Sequence, residues 1–209
     1  MKNKKLILAT HNEGKIKEFE NLLSGFEIEF LNLSSFNIKE EPVEDGNTFS
    51  QNAEIKIDYY FNKIKDSGIE IAPESYLLSE DSGIEIDYLN GAPGIKSARY
   101  GGDISSRERN ELVLSKLEGV EENNRKAKYV CCIKILNLYD QKKMEFTGHL
   151  EGHISYKSIG GDGFGYDPIF IPLGYNETIS KLGYDLKNAI SHRSVAVKKM
   201  INTIFINER

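Results

Sequence analysis

Lys4-Lys5-Leu6-Ile7-Leu8-Ala9-Thr10-His11-Asn12-Glu13-Gly14-Lys15 is the stretch from which the architecture is read. Its first half is a short apolar run that reads as a buried strand. It passes directly into a segment in which Ile16, Phe19, Leu22 and Leu23 recur on one side of a helix. The chain therefore turns from strand to helix between Thr10 and Gly14. The first backbone N–H groups of a helix have no partner within it, and together with the helix dipole they favour phosphate oxygens. Thr10 and Asn12 add neutral donors at this turn, and Lys15 adds a positive charge. The Gly-x-x-x-x-Gly-Lys-Ser/Thr spacing of a Walker A loop is absent. Thr10 or Asn12 also suits the plainer role of helix cap.

Strands and helices alternate onward from this unit. Glu27 to Leu31 reads as a second strand. Asn47 to Lys65 reads as a helix with Phe49, Ala53, Ile57, Phe61 and Ile64 at three- and four-residue spacing, started by Asp45, Gly46 and Asn47. Tyr76 to Leu78 and Ile84 to Ile86 are expected as two short strands flanking an acidic turn, followed by a helix over Ser105 to Leu117. Lys128 to Leu138 and Lys143 to Tyr156 read as long strands joined in a hairpin. Ser191 opens a last helix whose apolar stripe is Val197, Met200, Ile201, Ile204 and Phe205. No internal repeat or Pro/Gly/Ser-rich linker marks a domain cut, so the pattern is that of an α/β or α+β fold with a mixed sheet.

Composition narrows the function. The 209 residues are 39% apolar and 28% charged, as in an ordinary globular protein long enough to bury a substantial core. A formal charge of −5 argues against a general nucleic-acid binder, while local lysines and a metal leave room for a small anionic ligand. No apolar run approaches the roughly 18 residues that cross a bilayer, and the N-terminal apolar run is too short for a signal peptide. No membrane association is expected, and the expected address is the cytoplasm. The adjacent Cys131 and Cys132 lie in a strand pattern and read as packed residues, not as a zinc or disulfide framework.

Three further segments carry chemistry. Ser79-Glu80-Asp81-Ser82-Gly83 offers hard oxygen ligands of the kind that suit Mg²⁺ shared with substrate phosphates, and Glu44 or Asp45, before the long helix, would complete the site if the segments meet. Acidic residues at helix starts also compensate the dipole with no metal involved. Gly161-Asp162-Gly163-Phe164-Gly165-Tyr166-Asp167-Pro168 alternates close-approach glycines with Phe164 and Tyr166, whose flat faces suit a purine or, for Tyr166, the core. Lys187 suits phosphate, and His192 and Arg193, after the cap Ser191, suit a base carbonyl.

Taken in order, these motifs resemble the inosine triphosphate pyrophosphatase family, which hydrolyses non-standard purine nucleoside triphosphates. The resemblance runs from Leu6 to the final helix. It rests on Leu8 to Lys15; Glu44-Asp45-Gly46-Asn47-Thr48-Phe49 with Asn52-Ala53 and Lys56; Glu80 to Gly83; Gly91-Ala92-Pro93-Gly94 with Ser97-Ala98-Arg99-Tyr100; Gly163 to Phe170; and Ser191-His192-Arg193. It implies one domain over residues 1–209, an elongated mixed sheet with two α/β lobes around a central cleft, and a homodimer. It further implies that the loop Thr10, His11, Asn12, Glu13, Gly14 and Lys15 binds substrate, with Thr10, Asn12 and Lys15 on phosphates. Lys56 reaches the triphosphate, and Ser82 helps to bind substrate. Phe164, Gly165, Tyr166, Asp167, Lys187, His192 and Arg193 contact substrate and base. Glu44 and Asp81 match the metal-site acids, and Asp81 the proton acceptor. Three positions depart from the usual pattern: Glu80 stands where bacterial members usually have Asp, Ser158-Ile159-Gly160 lacks a Pro-Arg, and Lys96 replaces a common Tyr.

The activity so implied is Mg²⁺-dependent hydrolysis of ITP, dITP and XTP to the monophosphate and pyrophosphate. Hypoxanthine and xanthine offer a 6-oxo acceptor to His192 or Arg193, where adenine places a donor. A Maf-type nucleotide pyrophosphatase and a non-catalytic nucleotide sensor are the competing readings. The Ser-His-Arg and Phe-Gly-Tyr-Asp motifs argue against the first, and Lys15, Glu44 and Asp81 against the second.

Overall fold

The computed structural model describes residues 4–68, 72–160 and 164–206. The opening apolar run is strand β1 (Lys4–Leu8), and helix α1 (Glu13–Leu23) follows it. Asn12 is the cap: its side-chain oxygen accepts the Lys15 N–H at 3.1 Å, while Thr10 Oγ1 accepts the Asn12 N–H at 3.1 Å. β2 (Ile28–Asn32) and β3 (Ser75–Ile86) both pair in parallel with β1. Helix α2 (Phe49–Asp66) lies between β2 and β3 in the chain, and Thr48 caps it, not the expected Asp45 to Asn47, because the Thr48 side chain accepts the Gln51 N–H. With β4 (Lys126–Asn137), β5 (Lys143–Ile154) and β6 (Phe170–Pro172) the sheet order is β2-β1-β3-β4-β5-β6, and β6 is antiparallel to β5. The expected mixed sheet of an α/β fold is present.

One expectation is overturned. Glu80 to Gly83 is not a turn between two short strands; β3 runs through it for 12 residues. Two facts make this affordable. Both carboxylates are buried opposite lysines, so the strand carries paired charges. Alternate residues of a strand face opposite sides, and so Glu80 meets Lys15 of α1 while Ser79 and Asp81 meet α2, through the Ala53 carbonyl and Lys56. Gly83 serves close packing and not chain reversal: a Cβ there would collide with the Ser97 side chain and stand 2.5 Å from the Gly94 carbonyl oxygen. Ser97 Oγ accepts the Ile84 N–H at 2.9 Å in the space so left.

The chain divides into two compact units. The first holds residues up to Asp81, Cys132–Thr147 and the segment from Val197; the second holds Ser82–Cys131 and Gly148–Ala196. In the first, Ile7, Leu77 and Leu136 from the strands, with Ala9 just past β1, pack with Ile57, Tyr60 and Ile64 of α2. Tyr60 takes the inward place that the spacing assigned to Phe61, which is half-buried. Cys131 and Cys132 are buried on β4 and form no disulfide, as expected of strand residues.

In the second unit, α3 (Ser106–Lys116) starts at a capping box of Ser105 and Glu108 and buries Val113. That residue joins Ile84, Ile86, Leu117, Tyr129, Ile154, Tyr166, Ile169 and Phe170 in one core. Arg125 is buried there. Its guanidinium donates to the carbonyls of Leu117, Ile154 and Ser155, each at 2.7 Å, and stacks 4.6 Å from the Tyr156 ring, fixing where the chain leaves β5. Three helices follow: α4 (Ile179–Leu182), α5 (Tyr184–Ile190) and α6 (His192–Ile201). Ser191 Oγ accepts the Ser194 N–H at 3.1 Å, so Ser191 caps α6 as its sequence position suggested. Val197, Met200, Ile201 and Ile204 are buried, while the Phe205 side chain and residues Gly161, Asp162 and Gly163 lie outside what is described.

Candidate active site

In the first unit the polar residues gather at the end of β1 and in the middle of β3. Lys56 Nζ lies 3.1 Å from Glu44 Oε1 and 3.3 Å from Asp81 Oδ1. Asp81 Oδ2 accepts the Asn52 side-chain N–H at 3.1 Å, and Asn52 Oδ1 accepts the Gly46 N–H at 2.9 Å. Asn52 thus ties the segment carrying Glu44 to the carboxylate on β3. Asn52 was not among the residues singled out for chemistry. The signal was its place four residues before Lys56, on the same face of α2. Lys15 Nζ pairs with Glu80 Oε2 at 2.7 Å, which supplies a role for Glu80.

The electrostatics follow from burial. Burial pushes the Asp81 carboxyl above the ordinary range against the pull of Lys56 and Lys15, with Glu44 and Glu80 adding to the rise. Burial works against the Lys56 charge, but Asp81, Glu44 and Glu80 outweigh it and hold the ammonium above its ordinary value. The orientation of Asp81 is set by two donors, the Asn52 amide and the Lys56 ammonium. Among the described residues no group of three His, Cys, Asp or Glu side chains forms a ready-made metal cage. Glu44 and Asp81 nevertheless converge on the Lys56 ammonium. Two carboxylates of this kind fit a hard divalent ion that takes its remaining ligands from water and phosphate.

The second unit assembles the other group of expected residues. Lys187 Nζ pairs with Asp167 Oδ2 at 2.7 Å and sits 5.4 Å from the centre of the Phe164 ring. Arg193 is 1% exposed and donates from Nη2 to Ser82 Oγ at 3.1 Å. Phe164 is 46% exposed. Tyr166 instead enters the core and donates its hydroxyl to the Ser97 carbonyl at 2.8 Å. Gly165 takes a positive φ of 65° and its carbonyl accepts the Asn110 amide of α3 at 3.2 Å, which fixes the loop between the two aromatics.

Two residues that sequence reasoning passed over organise this group. Tyr129 of β4 donates its hydroxyl to Asp167 Oδ1 at 3.2 Å and stacks on the His192 imidazole, with ring centroids 4.7 Å apart and planes at 8°. Its sequence signal, one aromatic in an apolar strand, is that of any core residue. Gly148 of β5 has no side chain because a Cβ would collide with the His192 carbonyl and lie 2.6 Å from the Ala196 nitrogen. Its absence seats the start of α6. Of the remaining residues expected in the phosphate loop, His11 is half-buried and meets Tyr60 edge-on at 6.3 Å, and Glu13 and Gly14 form the first turn of α1.

An α/β fold with paired acids and lysines on one unit, and an aromatic, acidic and basic cluster on the other, is the frame of a nucleotide-handling protein. The chain belongs to the Ham1 family, whose model matches residues 6–203. It is 38% identical to the dITP/XTP pyrophosphatase of Bacillus subtilis over 94% of this chain and 95% of that one. With the dITP/XTP pyrophosphatase of Oceanobacillus iheyensis the identity is 38% over 96% and 100%. Among solved structures, a HAM1 protein from Coxiella burnetii is similar with a TM-score of 0.82 at 32% identity, over 99% of this chain and all of that one.

Proposed function

We propose that this protein is a Mg²⁺-dependent nucleoside triphosphate pyrophosphatase that hydrolyses ITP, dITP and XTP to the monophosphate and pyrophosphate. The observation that carries the reading is the convergence of Glu44 and Asp81 on Lys56 in a chain of the Ham1 family. The names of the relatives give its substrate class.

Water attacks the α-phosphorus, the α–β anhydride bond breaks, and its electron pair leaves with pyrophosphate. Asp81, oriented by Asn52 and Lys56, positions the attacking water and takes its proton. Lys15 exchanges Glu80 for a phosphate oxygen, and Lys56 steadies the developing negative charge. Glu44 and Asp81 are the residues that would hold Mg²⁺, which would supply charge neutralisation on the phosphate oxygens. On the second unit, Phe164 stacks on the purine while His192 and Arg193 donate to its 6-oxo group. Adenine would set its amino donor against those donors, the kind of mismatch that discriminates strongly. The same reading takes the working form as a cytoplasmic homodimer, with its mass checked by sedimentation.

Product analysis and kcat/KM with Mg²⁺ against ITP, XTP, dITP, GTP, ATP and dTTP test the proposal. Monophosphate and pyrophosphate, with ITP or XTP preferred at least about tenfold, or roughly 1.4 kcal/mol, over GTP and ATP, is the expected result. A flat profile would point to a broad phosphatase, a preference for dTTP to a Maf-type enzyme, and tight binding without turnover to a sensor.

A further inference from the structure

We infer that Tyr129 is a positioning residue for base recognition, setting the orientation of both Asp167 and His192. The inference rests on the reading above that these two residues contact the base.

The geometry joins three elements through one side chain. Tyr129 lies on β4, Asp167 in the loop before β6, and His192 at the start of α6. All three are buried. A carboxylate is free to turn about its last torsion unless both oxygens are tied. At Asp167 one oxygen takes the Lys187 ammonium and the other takes the Tyr129 hydroxyl, so the plane of the carboxylate is set. An imidazole has the same freedom, and its two nitrogens point usefully only if the ring plane is fixed. The parallel contact with the Tyr129 ring fixes that plane, and Phe170, tilted at 4.8 Å, backs the tyrosine from another direction. Hydroxyl and ring thus do separate jobs, the first on the acid and the second on the imidazole. A tyrosine present only to fill the core would need the ring alone.

Two substitutions separate the jobs. Tyr129→Phe keeps the stack and removes the hydroxyl; Tyr129→Leu removes both. In the nucleotide-free protein, the proton spectrum of His192 reads the stack directly, and with four histidines in the chain its resonance is assigned from a His192→Gln variant. The expected result is an upfield, ring-current-shifted His192 signal in the wild type and Tyr129→Phe that moves downfield in Tyr129→Leu. In steady-state kinetics, Tyr129→Phe raises KM for ITP at least about tenfold, as loss of one donor on a charged acceptor implies, while kcat stays within about twofold. The preference for ITP over GTP and ATP falls in both variants and further in Tyr129→Leu.

An unshifted His192 signal in the wild type, or KM and base preference unchanged in a folded Tyr129→Phe, overturns the inference. Should Tyr129→Leu fail to fold, the wild-type spectrum and Tyr129→Phe decide it alone. A wild type that does not discriminate among triphosphates overturns the proposed substrate instead. That failure shows before any variant is made, and the nucleotide-free spectrum still decides whether Tyr129 orders His192.

Discussion

Asp81 is held by an amide and an ammonium, Asn52 and Lys56, and each oxygen has one of them. Asp81→Asn keeps the shape, removes the proposed proton acceptor and would weaken a metal shared with Glu44. Turnover of ITP is expected to fall by about 10²–10⁴, while a fluorescence titration shows nucleotide still bound. A variant that binds as before and turns over as before removes Asp81 from the chemistry. Lys15 and Glu80 make a different case, because both are largely buried and each answers the charge of the other. Lys15→Ala leaves the Glu80 carboxylate buried against its neighbours and is expected to cost about 3 kcal/mol, read from the urea midpoint. Adding Glu80→Gln should recover part of that loss, since the neutral amide no longer needs a cation.

On α2, β4 and β5 a second set of charges does ordinary structural work. Lys134 pairs with Glu54 at 2.9 Å and with Glu145 at 2.7 Å, and Lys143 reaches both Glu54 and Asp58. Bonds from Lys134 and Ser50 hold the Glu145 carboxyl below its usual 4.5. Burial works against Glu54, but the bonds from Lys143 and Lys134 outweigh it and lower that carboxyl too. In the acid window the unfolded chain binds more protons than the folded one, so stability rises with pH there. The contribution is fully present above 4.5 and is lost as pH falls through the lower folded values. Both carboxylates are more than one-third exposed, and solvent screening limits the effect of either to under about 1 kcal/mol. Urea midpoints measured from pH 6 down to about pH 3 are expected to fall less steeply in Glu145→Gln than in the wild type.

For the molecule as a whole, a ligand that binds only the folded chain stabilises it by mass action. A non-hydrolysable ITP analogue with Mg²⁺ at about one hundred times its Kd is expected to add about 2.7 kcal/mol and raise Tm by roughly 5–10 °C at this chain length, with the matching ATP analogue at the same concentration giving less. Equal shifts would argue against base selectivity. Much of this molecule was legible in the chain. Strand β1, the turn capped by Asn12 and helix α1 follow from neighbours a few residues apart, as do the capping box at Ser105 and the cap at Ser191. Such features are local, because periodicity and caps depend only on the next turn of backbone. The ordered motifs were equally visible and led to the family. The rest depended on partners from far along the chain. Glu80 and Asp81 look like a solvated turn until α1 and α2 bring Lys15 and Lys56 against them, and only then is a buried strand the lower-energy state. Tyr166 and Phe164 look alike in sequence, yet one finds the Ser97 carbonyl in the core and the other stays open. Tyr129 becomes more than a core aromatic only where Asp167 and His192 close on it. Local pattern was enough for most strands and helices, the acidic stretch of β3 excepted, and for the family the chain joins. The tertiary structure decided which charges are buried and which aromatics remain open, because the cost of burying a polar group is set by the partners that folding delivers.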